Sequence, residues 1–236
     1  TVDLTAYKPT REGYEFAGWY ADTELTVKVT SVKLEKDMTV YAKWIESAAA
    51  TGLPLFDVAA GDWFLGAVKY AYENGLMNGV SDNEFDPTGN TSRAMLVTIL
   101  YRLEKTPEVS GENNFIDVES GKWYTEAVAW ASANKIVNGI SENEFAPMDT
   151  LTREQMVTML YRYAQYKGYD VSVGEDTNIL SYADAQEISE YAISAMQWAC
   201  GAGIIEGAGG KLMPTDYAQR AQIAAIMQRF CENIVK

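Results

Sequence analysis

The sequence predicts a mainly α protein, built as three helix–loop–helix repeats behind a small β-rich module. Three observations carry this. Residues 57–103 align with 117–163 at a constant offset of 60, without a gap. A third, more diverged copy runs from Asp184 to Arg229. The first fifty residues lack the pattern and are rich in aromatic and β-branched residues. The division that follows is a β module at 1–46, a linker at 47–54, and repeats at 55–108, 109–172 and 173–236.

Within the repeats, Asp57, Gly61, Trp63, Ala67-Val68, Asn78-Gly79, Phe85, Pro87, Arg93 and Arg102 match Asp117, Gly121, Trp123, Ala127-Val128, Asn138-Gly139, Phe145, Pro147, Arg153 and Arg162. Asp184, Tyr191, Trp198, Gly207, Pro214, Arg220 and Arg229 take the corresponding places in the third copy. The first helix of each copy is expected at 63–74, 123–134 and 190–202, with Gly75 and Gly203 as C-terminal stops. A turn-rich loop follows, with one apolar aromatic (Phe85, Phe145) and a proline.

The second helix is expected to start at the arginine. Positions +3, +6, +7 and +10 from it are apolar in every copy: Leu96, Ile99, Leu100, Leu103; Met156, Met159, Leu160, Tyr163; Ile223, Ile226, Met227, Phe230. This is the stripe of an amphipathic helix. One hairpin cannot bury it alone, but three can by packing their second helices together. Thr152 and Gln155 fit a capping box; Ser92 can cap but Met95 cannot complete one. Gln219 is a poor cap, so Asp216 is an alternative start for the last helix.

Arg93, Arg153 and Arg220 therefore sit where electrostatics disfavours them. A helix N-terminus is partly positive, and a cation there costs a few tenths of a kcal/mol. Three such placements suggest a site for an anion, held by the arginines and by the free N–H groups of the helix starts. The alternative is a salt bridge to Asp57, Asp117 or Asp184. Arg102, Arg162 and Arg229 read as a solvated or bridging helix face.

The aromatic-x-Asp openings (Leu55-Phe56-Asp57, Phe115-Ile116-Asp117, Tyr182-Ala183-Asp184), the Asn-Gly…Phe-x-Pro loop and the Leu151-Thr152-Arg153-Glu154-Gln155 helix start resemble the S-layer homology domain, present as three repeats over 55–236. That resemblance implies a pseudo-three-fold arrangement around a central helix bundle. It implies noncovalent anchoring of a bacterial surface protein, outside the cell on a Gram-positive-type wall. The partner would be secondary cell-wall polysaccharide, an anionic, pyruvylated sugar polymer bound in grooves between repeats. On it, Arg93, Arg153 and Arg220 face the carboxylate. Asp57, Asp117 and Asp184 meet sugar hydroxyls or brace the groove. Trp63, Trp123 and Tyr191 line it, beside Gly79 and Gly139. Read from the residues alone, the two tryptophans are core residues that can still offer a face to a sugar, and the aspartates cap or brace their helices. Thr91-Ser92-Arg93-Ala94-Met95 and Ala218-Gln219-Arg220-Ala221-Gln222 depart from the family's helix start. A degenerate set of repeats serving as a structural or adhesion module, with other surface-protein modules as partners, is the alternative function.

Pro9 to Asp22 and Asp37 to Trp44 resemble the Listeria–Bacteroides repeat, a small β module of bacterial surface proteins. Strands are expected at 14–20, 27–32 and 38–44. The family's usual first strand is missing, so Thr1 falls inside the repeat.

Composition narrows the chemistry. A net charge of −14 without a basic face argues against nucleic acid. No apolar run reaches the length of a membrane span. With no histidine, Ser-His and Cys-His catalysis and the usual zinc sites are excluded, and no Gly-rich phosphate loop is present. Neither enzyme activity nor a cofactor or metal is expected. The acidic loop 81–86 lacks EF-hand spacing, and its copy has Ala146 where Asp86 stands. Cys200 and Cys231 read as buried thiols on apolar helical faces, with a disulfide as the alternative.

Overall fold

A computed structural model describes residues 1–11, 13–33, 37–46, 51–109 and 114–235. The expected linker lies partly outside them, at 47–50. The chain forms two compact units: residues 1–69 with 79–86, and residues 70–78 with 87–236.

In the first unit, β1 (Val2–Asp3) pairs antiparallel with β4 (Ser31–Val32). A second sheet has the order β3-β2-β5, with β2 at Tyr14–Tyr20, β3 at Lys28–Val29 and β5 at Tyr41–Glu46. The long β2–β5 pairing is irregular between Phe16 and Gly18, where the register shifts. Phe16 stacks edge-on against Trp19 and Trp44, with centroids 5.2 and 5.7 Å away. The Trp19 indole N–H donates to the Tyr7 carbonyl. The strands thus fall close to the expected places; the segment expected at 27–32 is two short strands in different sheets.

The helices follow the repeat. The first helix of each copy is α1 (Leu65–Glu73), α3 (Thr125–Ala133) and α5 (Ile193–Gly201). A 3₁₀ turn at Glu190–Ala192 leads into α5. Gly75 and Gly203 adopt φ of +67°, as C-terminal stops should; Lys135 carries the equivalent strain at +58°.

The second helices, α2 (Arg93–Leu103), α4 (Arg153–Lys167) and α6 (Arg220–Phe230), all begin at the arginine. Thr152 and Gln155 form the full capping box. Ser92 accepts from the Met95 N–H. The alternative start at Asp216 is corrected: the last helix begins at Arg220, where the Gln222 side chain caps the Gln219 N–H at 3.2 Å. Glutamine at N3 restores half of a capping box that the poor cap residue lacks.

Within the second unit, the apolar stripes are buried as expected, except Leu103, which is half-buried. Tyr163 and Phe230 stack at 5.8 Å, and Trp130 and Trp198 close on them from the first helices at 6.4 and 6.3 Å. The Tyr163 hydroxyl donates to Glu104, which also pairs with Lys167 at 2.9 Å.

A ring of backbone hydrogen bonds lies just before these helices. The Thr91 N–H donates to Ala218 O at 2.9 Å, Ala218 to Leu151 O at 3.0 Å, and Leu151 back to Thr91 O at 2.9 Å. All three residues are fully buried. Each helix start is then tied to another repeat's loop. Arg93 and Ala94 N–H donate to Asp149 and Pro147 carbonyls, Arg153 and Glu154 to Asp216 and Pro214, and Arg220 and Ala221 to Gly89 and Pro87.

Cys200 and Cys231 are free thiols; Cys231 is buried, and Cys200, expected to be buried, is half-buried. Burial pushes the Cys200 thiol up to about 11 and raises Cys231 as well, which keeps both protonated and unreactive.

The buried Thr91 hydroxyl has no hydrogen-bond partner among the described residues. Its counterparts, Leu151 and Ala218, are apolar. Thr91→Val should therefore raise stability by about 1 kcal/mol, read as a higher urea midpoint at constant slope. In contrast, a β-carbon on Gly139 would strike the Ser141 and Glu144 carbonyls and the Phe115 ring. Gly139→Ala should cost about 1–3 kcal/mol in the same assay.

Candidate functional site

The three aspartates occupy equivalent, structural positions. Asp57 accepts from the Phe85 and Asp86 N–H groups at 2.8 and 2.6 Å. Asp117 accepts from Phe145 and Ala146 at 2.9 and 2.6 Å, and Asp184 from Leu212 and Met213 at 2.8 and 2.7 Å. Each carboxylate bridges the 28 residues between a repeat's opening and its loop. Burial works to raise the Asp184 carboxyl, but the Leu212 and Met213 N–H groups outweigh it and hold it below the ordinary value.

The arginines donate to backbone carbonyls of another repeat. Arg93 Nε donates to Phe145 O at 2.7 Å, Nη2 donates to Asn138 O at 2.9 Å, and the guanidinium stacks over the Phe145 ring at 4.6 Å. Arg153 Nε donates to Leu212 O at 2.9 Å. Arg220 Nη2 donates to Asn78 O at 2.7 Å. Asp117 and Arg93 thus hold the N–H and the C=O of one residue, Phe145; Asp184 and Arg153 do the same to Leu212.

This accounts for the unfavourable placement at the helix start. A hydrogen bond from a charged group to a buried carbonyl is worth about 1.5–3 kcal/mol, several times the dipole penalty. The expected alternative, an ion pair with the aspartates, is replaced by hydrogen bonds to backbone carbonyls between them. The expected role of free helix-start N–H groups is corrected too. Their donors at Arg93, Ala94, Arg153, Glu154, Arg220 and Ala221 are consumed by loop carbonyls.

The donor sets differ among the arginines. Arg153 uses Nε alone, so its two terminal nitrogens have no protein partner among the described residues. Burial lowers the pKa of Arg93 and Arg153, with Asp149 and Asp117 opposing the shift for the first and Asp216 for the second. Both remain cations at neutral pH.

Trp63, Trp123 and Tyr191 stand out in solvent, 70, 55 and 54% exposed. The core alternative for the tryptophans is therefore set aside; Trp130 and Trp198 fill the core instead. Trp63 and Trp123 are propped edge-on by Phe64 and Tyr124. Gly79 and Gly139 let the loop approach closely: a β-carbon on Gly79 would meet the Ser81 and Glu84 carbonyls.

Sequence reading took Glu154 only as part of a helix-start motif and missed Ser189 and the link of both to Tyr191. Glu154 is only 5% exposed. It accepts from the Ser189 N–H and hydroxyl at 2.9 and 2.7 Å and from the Tyr191 hydroxyl at 2.9 Å. The available signal was an acid where the other copies have Ala94 and Ala221. Among the described residues, no group of three or more acids or cysteines could hold a metal, and no helix is long and apolar enough to cross a membrane. A cleft of about 530 Å³ lined by Tyr101, Pro107 and Glu126 contains none of the predicted site residues.

Comparison with known proteins matches the S-layer homology domain at residues 57–94, 114–157 and 181–224, and the Listeria–Bacteroides repeat domain at residues 1–43. The Surface-layer 125 kDa protein of Lysinibacillus sphaericus is 31% identical over 71% of this chain and 14% of its own length. The Amylopullulanase of Thermoanaerobacterium thermosulfurigenes is 26% identical over 98% of the chain and 12% of its own. The Endoglucanase of Bacillus sp. strain KSM-635 is 30% identical over 75% and 19%. The chain thus spans less than a fifth of the length of each of these relatives.

Because the folded pKa of Asp184 lies below its ordinary 3.8, its contribution to stability is present above that pH and lost as pH falls through the folded value. Asp184→Asn should melt earlier than the parent at pH 6, and the gap should narrow on titration to pH 3, followed by circular dichroism.

Proposed function

Because the chain belongs to the S-layer homology domain family, we propose that it holds a bacterial surface protein noncovalently to the cell wall. In this reading it binds an anionic, pyruvylated secondary cell-wall polysaccharide in grooves between its repeats. The supporting observation is Arg153. Its guanidinium is fixed through Nε to Leu212 O while its terminal nitrogens lack a protein partner among the described residues. A guanidinium so oriented offers two parallel N–H donors to a carboxylate, at little further entropic cost.

The other site residues take supporting roles. The exposed rings of Trp63, Trp123 and Tyr191 offer flat apolar faces for a sugar. Asp57, Asp117 and Asp184, with Gly79 and Gly139, set the loops that carry the groove walls. Arg93 and Arg220 bind more weakly than Arg153, because each already spends an Nη2 donor on an Asn carbonyl. We read the three repeats as arranged about a pseudo-three-fold axis, with the backbone ring of Thr91, Leu151 and Ala218 at its centre. The region itself is read as non-catalytic. Relatives named as a surface-layer protein, an amylopullulanase and an endoglucanase share it over a small part of their length, consistent with one attachment device on unlike proteins.

A second reading, a structural or adhesion module, draws on the structural duties that the arginines and aspartates already have. Binding to purified wall polymer separates the two. Native polymer should sediment with the protein, and polymer stripped of pyruvate should bind at least tenfold more weakly. Equal binding to both removes the carboxylate mechanism, and retention on walls freed of polysaccharide supports the second reading. Arg153→Ala should reduce binding to native polymer more than Arg93→Ala does.

A further inference from the structure

The three copies differ in one coupled pair. Where the first two have tryptophan, at Trp63 and Trp123, the third has Tyr191. Where α2 and α6 have Ala94 and Ala221 after the arginine, α4 has Glu154. The two odd residues meet: the Tyr191 hydroxyl donates to Glu154 Oε1 at 2.9 Å. The 3₁₀ turn Glu190–Ala192 packs on α4 and brings Ser189 to the same carboxylate, which collects three hydrogen bonds.

A carboxylate this buried is costly to desolvate, and its hydrogen bonds must offset that loss. The other two copies place a methyl group there and fold around it. Packing alone therefore does not require the acid. The pair also has a location. Tyr191 and Arg162 lie within electrostatic reach of Arg93, and Arg162 of Tyr191. Arg162 is half-buried and has neither hydrogen bond nor ion pair among the described residues, whereas Arg102 and Arg229 donate to the Leu76 and Ile204 carbonyls. Two cations and a half-exposed phenol thus lie near one another, and the tyrosine is held through its hydroxyl. Burial and Glu154 push that phenol up to about 12, so it keeps its proton at any physiological pH.

The hydrogen-bond inventory then differs between grooves. An indole offers only an N–H donor. A phenol whose hydrogen is committed to Glu154 offers only its oxygen, as an acceptor. We propose that Glu154 is a positioning residue of the Arg93 groove: it fixes the Tyr191 ring as a groove wall and leaves the phenol oxygen to accept from a hydroxyl of the bound sugar. This groove would then select a sugar carrying a free hydroxyl beside its carboxylate, a selectivity the tryptophan-walled positions do not share. The inference rests on the wall-polysaccharide reading and assigns one of its grooves a preference.

The test uses the full chain with ¹⁵N-labelled arginine, titrated with a monosaccharide bearing a pyruvate ketal. The Arg93 Nε–H signal reports one groove and the Arg153 Nε–H signal another. In the parent both signals should move. Glu154→Ala and Tyr191→Phe should each weaken the Arg93 titration about three- to tenfold, the worth of one hydrogen bond, and leave the Arg153 titration unchanged. Glu154→Gln, which keeps an acceptor for the phenol, should retain more than half of the parent's affinity. The double change Glu154→Ala with Tyr191→Trp, which recreates the pairing of the other copies, should bind better than Glu154→Ala. Tyr191→Phe alters an exposed side chain and keeps the test open if Glu154→Ala does not fold. Unchanged Arg93 titrations in Tyr191→Phe, or equal weakening at both arginines, overturn the inference. So does a parent whose sugar moves Arg153 but not Arg93, and the anchoring reading then survives. A sugar that moves neither signal overturns both.

Discussion

Three backbone hydrogen bonds, running from Thr91 to Ala218 to Leu151 and back to Thr91, are the constraint on which the helical unit depends. They fix the residues two positions before three helices, and so fix where each helix begins. With the starts fixed, the next two N–H groups of each helix reach carbonyls of another repeat's loop. The donors that a helix start normally leaves to a cap or to solvent become the seams between repeats. The apolar stripes then meet in one core, where Tyr163 and Phe230 stack between Trp130 and Trp198.

The aspartates and arginines finish what the ring begins. One carboxylate takes the N–H of Phe145 and one guanidinium takes its carbonyl, so the loop is held at both ends of a single residue. This arrangement keeps charged groups out of direct ion pairs. Each instead satisfies a buried peptide group, where a charge-assisted hydrogen bond counts for more than an exposed salt bridge. It also holds the Arg93 guanidinium over an aromatic ring, a placement that an exposed arginine would lose entropy to adopt.

Much of this was legible in the sequence. The period, the helix stripes, the stops at Gly75 and Gly203 and the capping box at Thr152 and Gln155 are all local patterns, and local patterns survive translation into structure. The arginines were legible as an anomaly but not as a solution. Arg93 meets its acceptor 52 residues away, and no spacing rule connects a side chain to a distant carbonyl. The same distance hid the fate of the helix-start N–H groups. Trp63 and Trp123 were ambiguous because an aromatic beside a helix has the same appearance whether it faces in or out. Glu154 was read only as part of a helix-start motif, because an acid in the first turn of a helix is ordinary; its burial and its link to Tyr191 mark it as more.

The seams also bear on how such a sequence can multiply. Every junction takes its donor from one copy and its acceptor from another, so no copy is complete by itself. Two copies would leave the chain of donors open, with a helix start and a loop facing water at the break. Duplication of a single copy is therefore a costly intermediate, and the unit that can be copied or moved intact is the triplet. For this architecture the gene segment that behaves as a module is three periods long, although the repeat visible in the sequence is one.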